Sequence, residues 1–164
     1  MSLGAWRFTV MRVSFDLDDL LICYHSSVPR ESTRLPLLHR WLDEPLRQGT
    51  CALLAELKSC GCDVWICTSS SRSPLLIRLW LALYGVTVGR VITHEMYAAY
   101  LRRFPNSQPP SKNPQVFGID LHIDDSEGVR QEGEQHGFDV LVIAPDEEDW
   151  TQRVAKEVKR RLRR

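Results

Sequence analysis

The sequence has no excess of either charge and no long apolar run. It also has no second close pair of cysteines of the kind that a structural zinc site needs. Its 164 residues hold 21 basic and 21 acidic side chains, so the net charge indicates no particular partner. Apolar runs stop well short of the roughly 18 residues that a membrane-spanning helix needs. Residues 1–10 hold no apolar segment of the signal-peptide type. We therefore expect a cytoplasmic protein with no membrane partner.

The cysteines argue against a structural zinc site. There are five, an odd number in a chain long enough to build a core, which favours reduced thiols in a cytoplasm. Cys60 and Cys62 form a close pair, but structural zinc sites usually have two ligand pairs, and no second pair follows.

Short β-rich runs alternate with helical segments along most of the chain. The predicted strands are Phe8 to Phe15, Asp63 to Cys67, Val86 to Thr93, Ile119 to Ile123 and Val140 to Ile143. The predicted helices are Leu46 to Ser59, Pro74 to Tyr84, Ser126 to His136 and a terminal helix from about Glu147. Strands separated by helices of this length pair in parallel through right-handed crossovers. The pattern predicts one α/β domain over residues 1–164, built on a doubly wound parallel sheet.

Two segments fall outside this alternation. Residues 24–44 are a candidate cap insertion, with a short helix predicted at Leu37 to Leu42, and they are too few to form a helical-bundle cap. Residues 94–113 begin as a helix, become rich in Pro, Asn and Ser, and are a candidate loop or flap. We therefore expect a small or absent cap. An open site of that kind suits an exposed phosphate on a macromolecule, or closure by another subunit.

Polar residues with chemical potential follow three of the predicted strands. Asp16, Thr68 and Asp124 each come just after a strand, and ligands of doubly wound sheets bind at that edge. After the first strand, Asp16 and Asp18 can point into one pocket, where one carboxylate attacks phosphorus and the other protonates the leaving oxygen. The alternative is that these acids only begin a loop or cap a helix.

Further residues complete a phosphate and metal site. Asp124 and Asp125 add carboxylates that, with Asp16 and Asp18, suit Mg²⁺, a cation that prefers oxygen ligands. Thr68 and Ser69 offer hydroxyl and backbone N–H groups for a phosphate. Lys112, the only lysine between Lys58 and Lys156, can neutralise charge on a transferred phosphoryl group. Each feature alone also fits an ordinary cap or a solvated loop. His122 lies within a predicted strand and is interpreted as a packing residue.

In this order and spacing the set resembles the haloacid dehalogenase-like phosphohydrolase superfamily. The residues that carry the resemblance are Asp16-Leu17-Asp18, Thr68, Lys112 and Asp124-Asp125, together with the segments VWICTSS and IDDSEG. The resemblance implies a Rossmann-like core and an aspartyl-phosphate intermediate on Asp16, with Asp18 as general acid and base. It also implies Mg²⁺ held by Asp16, the Asp18 carbonyl and Asp125, with Asp124 binding it directly or through water. Thr68, Ser69 and Lys112 would hold the phosphoryl oxygens.

One departure from the superfamily pattern bears on turnover. The first motif commonly continues with Gly and then Thr or Val, whereas this chain has Asp19 and Leu20. Glycine relaxes such a turn, so either Asp19 tolerates its geometry or the turn differs. A receiver domain of two-component signalling uses the same residue types, but there the acidic pair comes first and the lysine last. Here Lys112 precedes Asp124 and Asp125, which disfavours that alternative.

The sequence therefore predicts a Mg²⁺-dependent phosphomonoesterase acting on a phosphorylated substrate. One alternative is a nucleotide or nucleic-acid end phosphatase, because VWICTSS resembles a segment of 5'(3')-deoxyribonucleotidases and residues 153–164 are rich in Lys and Arg. A solvated terminal helix is the favoured interpretation of that basic tail. Another alternative is a catalytically silent module that binds phosphate or metal.

Overall fold

A computed structural model describes residues 10–22, 24–25, 27–33 and 44–163 of the chain. Three predicted features therefore lie outside the described residues. They are the first two residues of the strand predicted from Phe8, the helix predicted at Leu37 to Leu42, and much of the candidate cap insertion at residues 24–44.

Five parallel strands form one sheet, in the order β3-β2-β1-β4-β5. Their bounds are Arg12–Phe15 for β1, Asp63–Cys67 for β2, Val91–Ile92 for β3, Leu121–Asp124 for β4 and Val140–Val142 for β5. The chain runs outward from β1 to β3, then returns to the other side of β1 for β4 and β5. The predicted doubly wound parallel sheet is confirmed. The order in which successive strands are added to the sheet changes direction between β1 and β4.

Helices connect these strands. The described residues include Thr50–Ser59 as α1, Pro74–Leu83 as α2, His94–Arg103 as α3, Glu127–His136 as α4 and Trp150–Leu162 as α5, with a 3₁₀ turn at Pro114–Phe117. Local chemistry fixes several helix starts: the side chains of Ser73 and Ser126 each accept a backbone N–H from the first turn of the following helix. In the part of the chain that the structure describes, every helix is too short or too polar to cross a bilayer.

The core divides between the two faces of the sheet because strand side chains alternate. Val13 and Phe15 of β1 face a large apolar cluster that includes residues of α1, α2 and α5. The opposite face carries a smaller cluster around Trp65 and Cys67 of β2, packed against Met96 of α3. Ser14, between Val13 and Phe15, is fully buried on this second face. Ser14 is therefore a buried polar residue on a face of the sheet that is otherwise packed with apolar side chains.

Several predicted bounds differ from the structure by a few residues, and the largest differences lie at β3 and α1. The short strand predicted within Val86 to Thr93 is Val91–Ile92. The residues before it bury apolar side chains in an irregular segment, whose carbonyls accept bonds from Arg78. The helix predicted from Leu46 begins only at Thr50. Leu46 and the next residue form isolated β-bridges, and Gly49 takes a left-handed φ of 88° that ends the irregular stretch.

Candidate active site

The carboxyl ends of β1 and β4 bring three predicted site residues together. Asp16 follows β1 and Asp124 ends β4. These neighbouring strands lie on either side of the point where the strand order changes direction, which is where doubly wound sheets bind ligands. Lys112 Nζ donates to Asp16 Oδ1 at 2.9 Å and to Asp124 Oδ2 at 2.8 Å. All three side chains are at least nine-tenths buried, at 7%, 10% and 2% exposure for Lys112, Asp16 and Asp124. One buried ammonium therefore joins two buried carboxylates.

The loop that carries Lys112 is anchored to α4. The preceding residue, Ser111, donates from its backbone N–H and its hydroxyl to Glu132 Oε2, at 3.0 and 2.6 Å. Pro114 is buried and begins the 3₁₀ turn that leads toward β4. The loop is thus held on both sides of Lys112, which fixes the direction of the lysine side chain toward the sheet edge.

Burial and pairing set the protonation of these three groups. Burial alone would lower the pKa of Lys112, but the charges of Asp16 and Asp124 raise it above its ordinary value, so the ammonium persists at neutral pH. Burial would raise the pKa of Asp124, yet the hydrogen bond from His122, followed by the charge and hydrogen bond of Lys112, lowers it. The pKa of Asp16 is raised, chiefly by burial and also by the charge of Asp124, because these two effects exceed the lowering effect of the Lys112 ammonium.

His122 belongs to the same buried network. It is fully buried, its Nε2 lies 2.9 Å from Asp124 Oδ2, and its Nδ1 lies 2.8 Å from the hydroxyl of Ser14. Ser14 and His122 are paired in register on β1 and β4. The interpretation of His122 as a packing residue was therefore incomplete. The signal was present in the sequence, since residues two apart on a strand share a face, and His122 and Asp124 are two apart.

Asp18 points away from this network toward a second cluster. Its carboxylate accepts two bonds from Arg72 Nη1, both at 3.0 Å, and one from the Tyr24 hydroxyl at 2.6 Å. Arg72 also reaches Glu44 Oε1 at 2.5 Å and the Ser70 hydroxyl at 2.8 Å. Arg72, Tyr24 and Glu44 had not been identified from the sequence. Burial, then the hydrogen bond and charge of Asp18, raise the pKa of Tyr24 to about 12, so its phenol remains a donor.

Asp125 and Asp19 add negative charge around the network. Asp125 lies outside the group formed by Asp16, His122 and Asp124, but burial and then the charges of Asp124, Asp16 and Asp19 raise its pKa to about 6. Asp19 adopts a left-handed φ of 58°, the only described residue other than glycine with a positive φ. The sequence had indicated strain at Asp19, and the backbone has the geometry that glycine adopts without strain.

Thr68 and Ser69, the residues predicted to bind phosphate, lie on the loop after β2. Thr68 is buried at 3% exposure, and its Oγ1 accepts the backbone N–H of Ser70 at 3.1 Å. Ser69 is exposed. The hydroxyl proton of Thr68 and the exposed side of this loop are available to an anion at the same edge of the sheet as Asp16.

The donor set fits a hard divalent cation. Asp16, His122 and Asp124 each offer a ligand atom within 4.8 Å of the others. Both nitrogens of His122 are already hydrogen-bonded, and Lys112 uses Oδ1 of Asp16 and Oδ2 of Asp124. The second oxygen of Asp16 remains, and Asp125 retains acceptor capacity although its carboxylate also bonds its own backbone N–H. Carboxylate oxygens suit Mg²⁺. Asp124 Oδ1 accepts the Ser126 N–H at 2.9 Å and retains a second lone pair.

Comparison with known proteins adds no family assignment: no family model matches the chain, and no curated protein matches it.

Proposed function

We propose that this chain is a magnesium-dependent phosphomonoesterase of the haloacid dehalogenase-like type, with Asp16 as nucleophile. The observation that carries the proposal is the buried Lys112 ammonium, which contacts both Asp16 and Asp124 at the reversal point of the sheet. The carboxylates of Asp16, Asp19, Asp124 and Asp125 outnumber that one ammonium, and such an excess favours a bound cation.

The proposed reaction has two steps. A carboxylate oxygen of Asp16 attacks phosphorus, the ester P–O bond breaks, and Asp18 gives a proton to the leaving alkoxide. Water then attacks the phosphorus of the aspartyl-phosphate, Asp18 takes its proton, and inorganic phosphate leaves with Asp16 restored. Lys112 and Thr68 neutralise and orient the phosphoryl oxygens. Mg²⁺, when bound, supplies charge that offsets the repulsion between the phosphate and the carboxylates.

The contact between Asp18 and Arg72 affects both proposed roles of Asp18, as proton donor and as proton acceptor. The hydrogen bonds from Arg72 and Tyr24 favour the ionised carboxylate, the form that accepts a proton in the second step. The first step needs a neutral Asp18. Arg72 has a second acidic partner in Glu44, so a shift of the guanidinium toward Glu44 would leave Asp18 free to carry the proton.

A catalytically silent phosphate- or metal-binding module is the second candidate. The ion pair between Asp18 and Arg72 and the left-handed backbone of Asp19 favour it, because both depart from an acid poised to donate. This candidate retains the network of Lys112, Asp16 and Asp124 but predicts no turnover.

A nucleic-acid end phosphatase has less support. Most cations of α5 and its end are already paired: Arg153 with Glu147, Lys159 with Glu56, Arg160 with Glu157, and Arg161 with both Glu157 and Asp139. Paired cations release fewer counterions on binding a polyanion, so they contribute less to affinity. We propose a phosphorylated small molecule or an exposed phosphate as the substrate. The four described cysteines are free thiols, which fits the proposed cytoplasmic location.

A panel of phosphomonoesters tests the proposal. The wild type and Asp16→Asn are compared with and without Mg²⁺. The control is Asp139→Asn, at an exposed acid that directly precedes β5, at the amino ends of the strands and away from Asp16. We expect Mg²⁺-dependent phosphate release that Asp16→Asn abolishes and Asp139→Asn retains. Binding of Mg²⁺ without hydrolysis of any ester would favour the silent module. Equal activity in the wild type and Asp16→Asn would contradict Asp16 as nucleophile.

A further inference from the structure

A chain of buried side chains runs beneath the candidate active site. Ser14 and His122 are both fully buried, and Asp124 is 1% exposed. The imidazole lies between the other two, with Nδ1 at 2.8 Å from the Ser14 hydroxyl and Nε2 at 2.9 Å from Asp124 Oδ2. A buried polar group without a partner is costly, so both ring nitrogens and both neighbours depend on this arrangement.

The chemistry of the three groups assigns the proton positions. A carboxylate only accepts hydrogen bonds, so Nε2 must carry the hydrogen that Asp124 receives. A neutral imidazole has one N–H, and Nδ1 then accepts the hydroxyl proton of Ser14. Asp124 therefore selects the tautomer of His122, and the Ser14 hydroxyl supports that tautomer by donating to Nδ1. The in-register pairing of Ser14 with His122 across β1 and β4 fixes the distances between them.

Asp124 needs this support because its two oxygens have different tasks. Oδ2 receives both His122 Nε2 and Lys112 Nζ, whereas Oδ1 receives the Ser126 N–H. With Oδ2 held from two directions, the carboxylate cannot rotate without breaking a buried bond. Oδ1 consequently keeps a fixed lone pair toward the sheet edge, where Asp16 and Asp125 offer further oxygens.

We infer that His122 is a positioning residue for the cation site: its Nε2–H holds Asp124, and the Ser14 hydroxyl satisfies Nδ1 and so supports this tautomer. The inference rests on the proposed function for the identity of the cation, but the contact itself does not. In this role His122 acts through Asp124 and does not itself bind the cation, because both of its ring nitrogens are hydrogen-bonded to protein groups. Groups that orient a metal ligand in this way typically contribute about 10- to 100-fold to metal affinity.

The first test reads the tautomer directly in the metal-free wild type. Two-bond ¹H–¹⁵N spectra of ¹⁵N-histidine-labelled protein at neutral pH report which ring nitrogen carries hydrogen, and the signals absent from His122→Gln assign those of His122. We expect a protonated Nε2. A bare Nε2 with the hydrogen on Nδ1 would overturn the inference, whether or not the protein hydrolyses phosphoesters.

The second test measures Mg²⁺ binding by calorimetry in matched variants. The His122→Gln amide can still donate to Asp124, whereas His122→Met fills the space without a donor. We expect His122→Met to lose about 10- to 100-fold in Mg²⁺ affinity and His122→Gln to lose about threefold or less. Ser14→Ala should fall between them, because its imidazole can exchange tautomers. Ile123→Val, whose side chain faces the other side of β4, should lower the melting temperature and leave Mg²⁺ affinity unchanged.

These measurements separate the inference from the proposed function. Equal Mg²⁺ affinity in His122→Met and the wild type would overturn the positioning role. If His122→Met does not fold, the comparison of His122→Gln with Ser14→Ala, together with the tautomer spectrum, decides the same question. A wild type that binds no Mg²⁺ would contradict the proposed function, while the tautomer spectrum would still establish or refute the contact between His122 and Asp124.

Discussion

Lys112 Nζ lies 2.9 Å from Asp16 Oδ1, although 96 positions separate the two residues in the sequence. The same ammonium lies 2.8 Å from Asp124 Oδ2, and all three side chains are buried. A buried cation shared by two carboxylates is costly to assemble unless each charge is paired. The neighbouring strands β1 and β4 hold Asp16 and Asp124 side by side, and the anchored loop brings Lys112 to them.

Removal of the ammonium tests this arrangement. In Lys112→Met the carboxylates of Asp16 and Asp124 lose their shared partner, and breaking such a buried pair typically costs about 3–5 kcal/mol. We expect a lower melting temperature in the metal-free protein, measured by calorimetry, and loss of phosphatase activity. Lys156→Met, at an exposed lysine of α5, is the control and should change neither. An unchanged melting temperature in Lys112→Met would contradict the pairing.

The raised pKa of Asp125 predicts a pH-dependent gain from its removal. Its folded pKa of about 6 lies above the ordinary value of 3.8, so the carboxylate destabilises the metal-free fold above pH 6, and this cost disappears as the pH falls through that range. The full shift corresponds to about 3 kcal/mol, which solvent screening of this half-exposed side chain reduces to about 1 kcal/mol.

Asp125→Asn should therefore raise the melting temperature of the metal-free protein at neutral pH, and the gain should vanish toward about pH 4. Mg²⁺ should reverse the order, because the wild type offers the cation one more carboxylate than the variant does. Scanning calorimetry across pH, with and without Mg²⁺, measures both effects. A gain that is independent of pH would show that the charge of Asp125 is not its cause.

Arg72 is expected to matter more for poor leaving groups than for good ones. Arg72→Lys keeps the charge but not the fork that spans Asp18, Tyr24 and Glu44. An alkyl phosphate needs a proton on its leaving oxygen, and general acid catalysis contributes about 10²- to 10⁴-fold. A nitrophenyl phosphate, whose leaving group is stable as an anion, needs it far less.

We therefore expect kcat/KM, which reports the steps up to departure of the leaving group, to fall by at least about tenfold on the alkyl ester in Arg72→Lys, with little change on the nitrophenyl ester. Asp18→Asn should show the same dependence on the leaving group more strongly. An equal loss on both esters would indicate that Arg72 binds the phosphate instead of positioning Asp18.

The backbone of Asp19 predicts opposite effects for two small substitutions. Its φ of 58° is a conformation that costs an ordinary residue about 1–2 kcal/mol, less for Asp and nothing for Gly. Asp19→Gly should leave stability unchanged or raise it by up to about 1 kcal/mol, and Asp19→Ala should lower it by a similar amount. Urea denaturation of the pair measures the difference. If Ala proves as stable as Gly, the turn is not strained.

Much of the architecture could be predicted from the sequence because it depends on local pattern. The alternation of β-rich runs with capped helices identified the parallel sheet, and β2 has the bounds that were predicted for it. Asp16, Thr68 and Asp124 could be placed at one edge because parallel strands end there. The short strand predicted within Val86 to Thr93 occupies only Val91–Ile92, and Val86 and Val88 pack into the core ahead of it.

The contacts of the site were less predictable because they depend on side chains from distant segments. Nothing local in the sequence pairs Asp18 with Arg72, 54 residues away. Glu44 lies at the end of the insertion, and its approach to Arg72 follows from tertiary packing alone. The contact between His122 and Asp124 was missed although the sequence held a signal for it, since their two-residue spacing places both side chains on one face of β4.

A crystal structure with Mg²⁺ and beryllium fluoride tests the central claim most directly. Beryllium fluoride forms an adduct with a carboxylate that has been positioned to accept a phosphoryl group. The proposed function predicts the adduct on an oxygen of Asp16, with its fluorides facing Lys112 and Thr68. An adduct on any other carboxylate, or an unmodified Asp16 beside a bound Mg²⁺, would contradict Asp16 as the nucleophile.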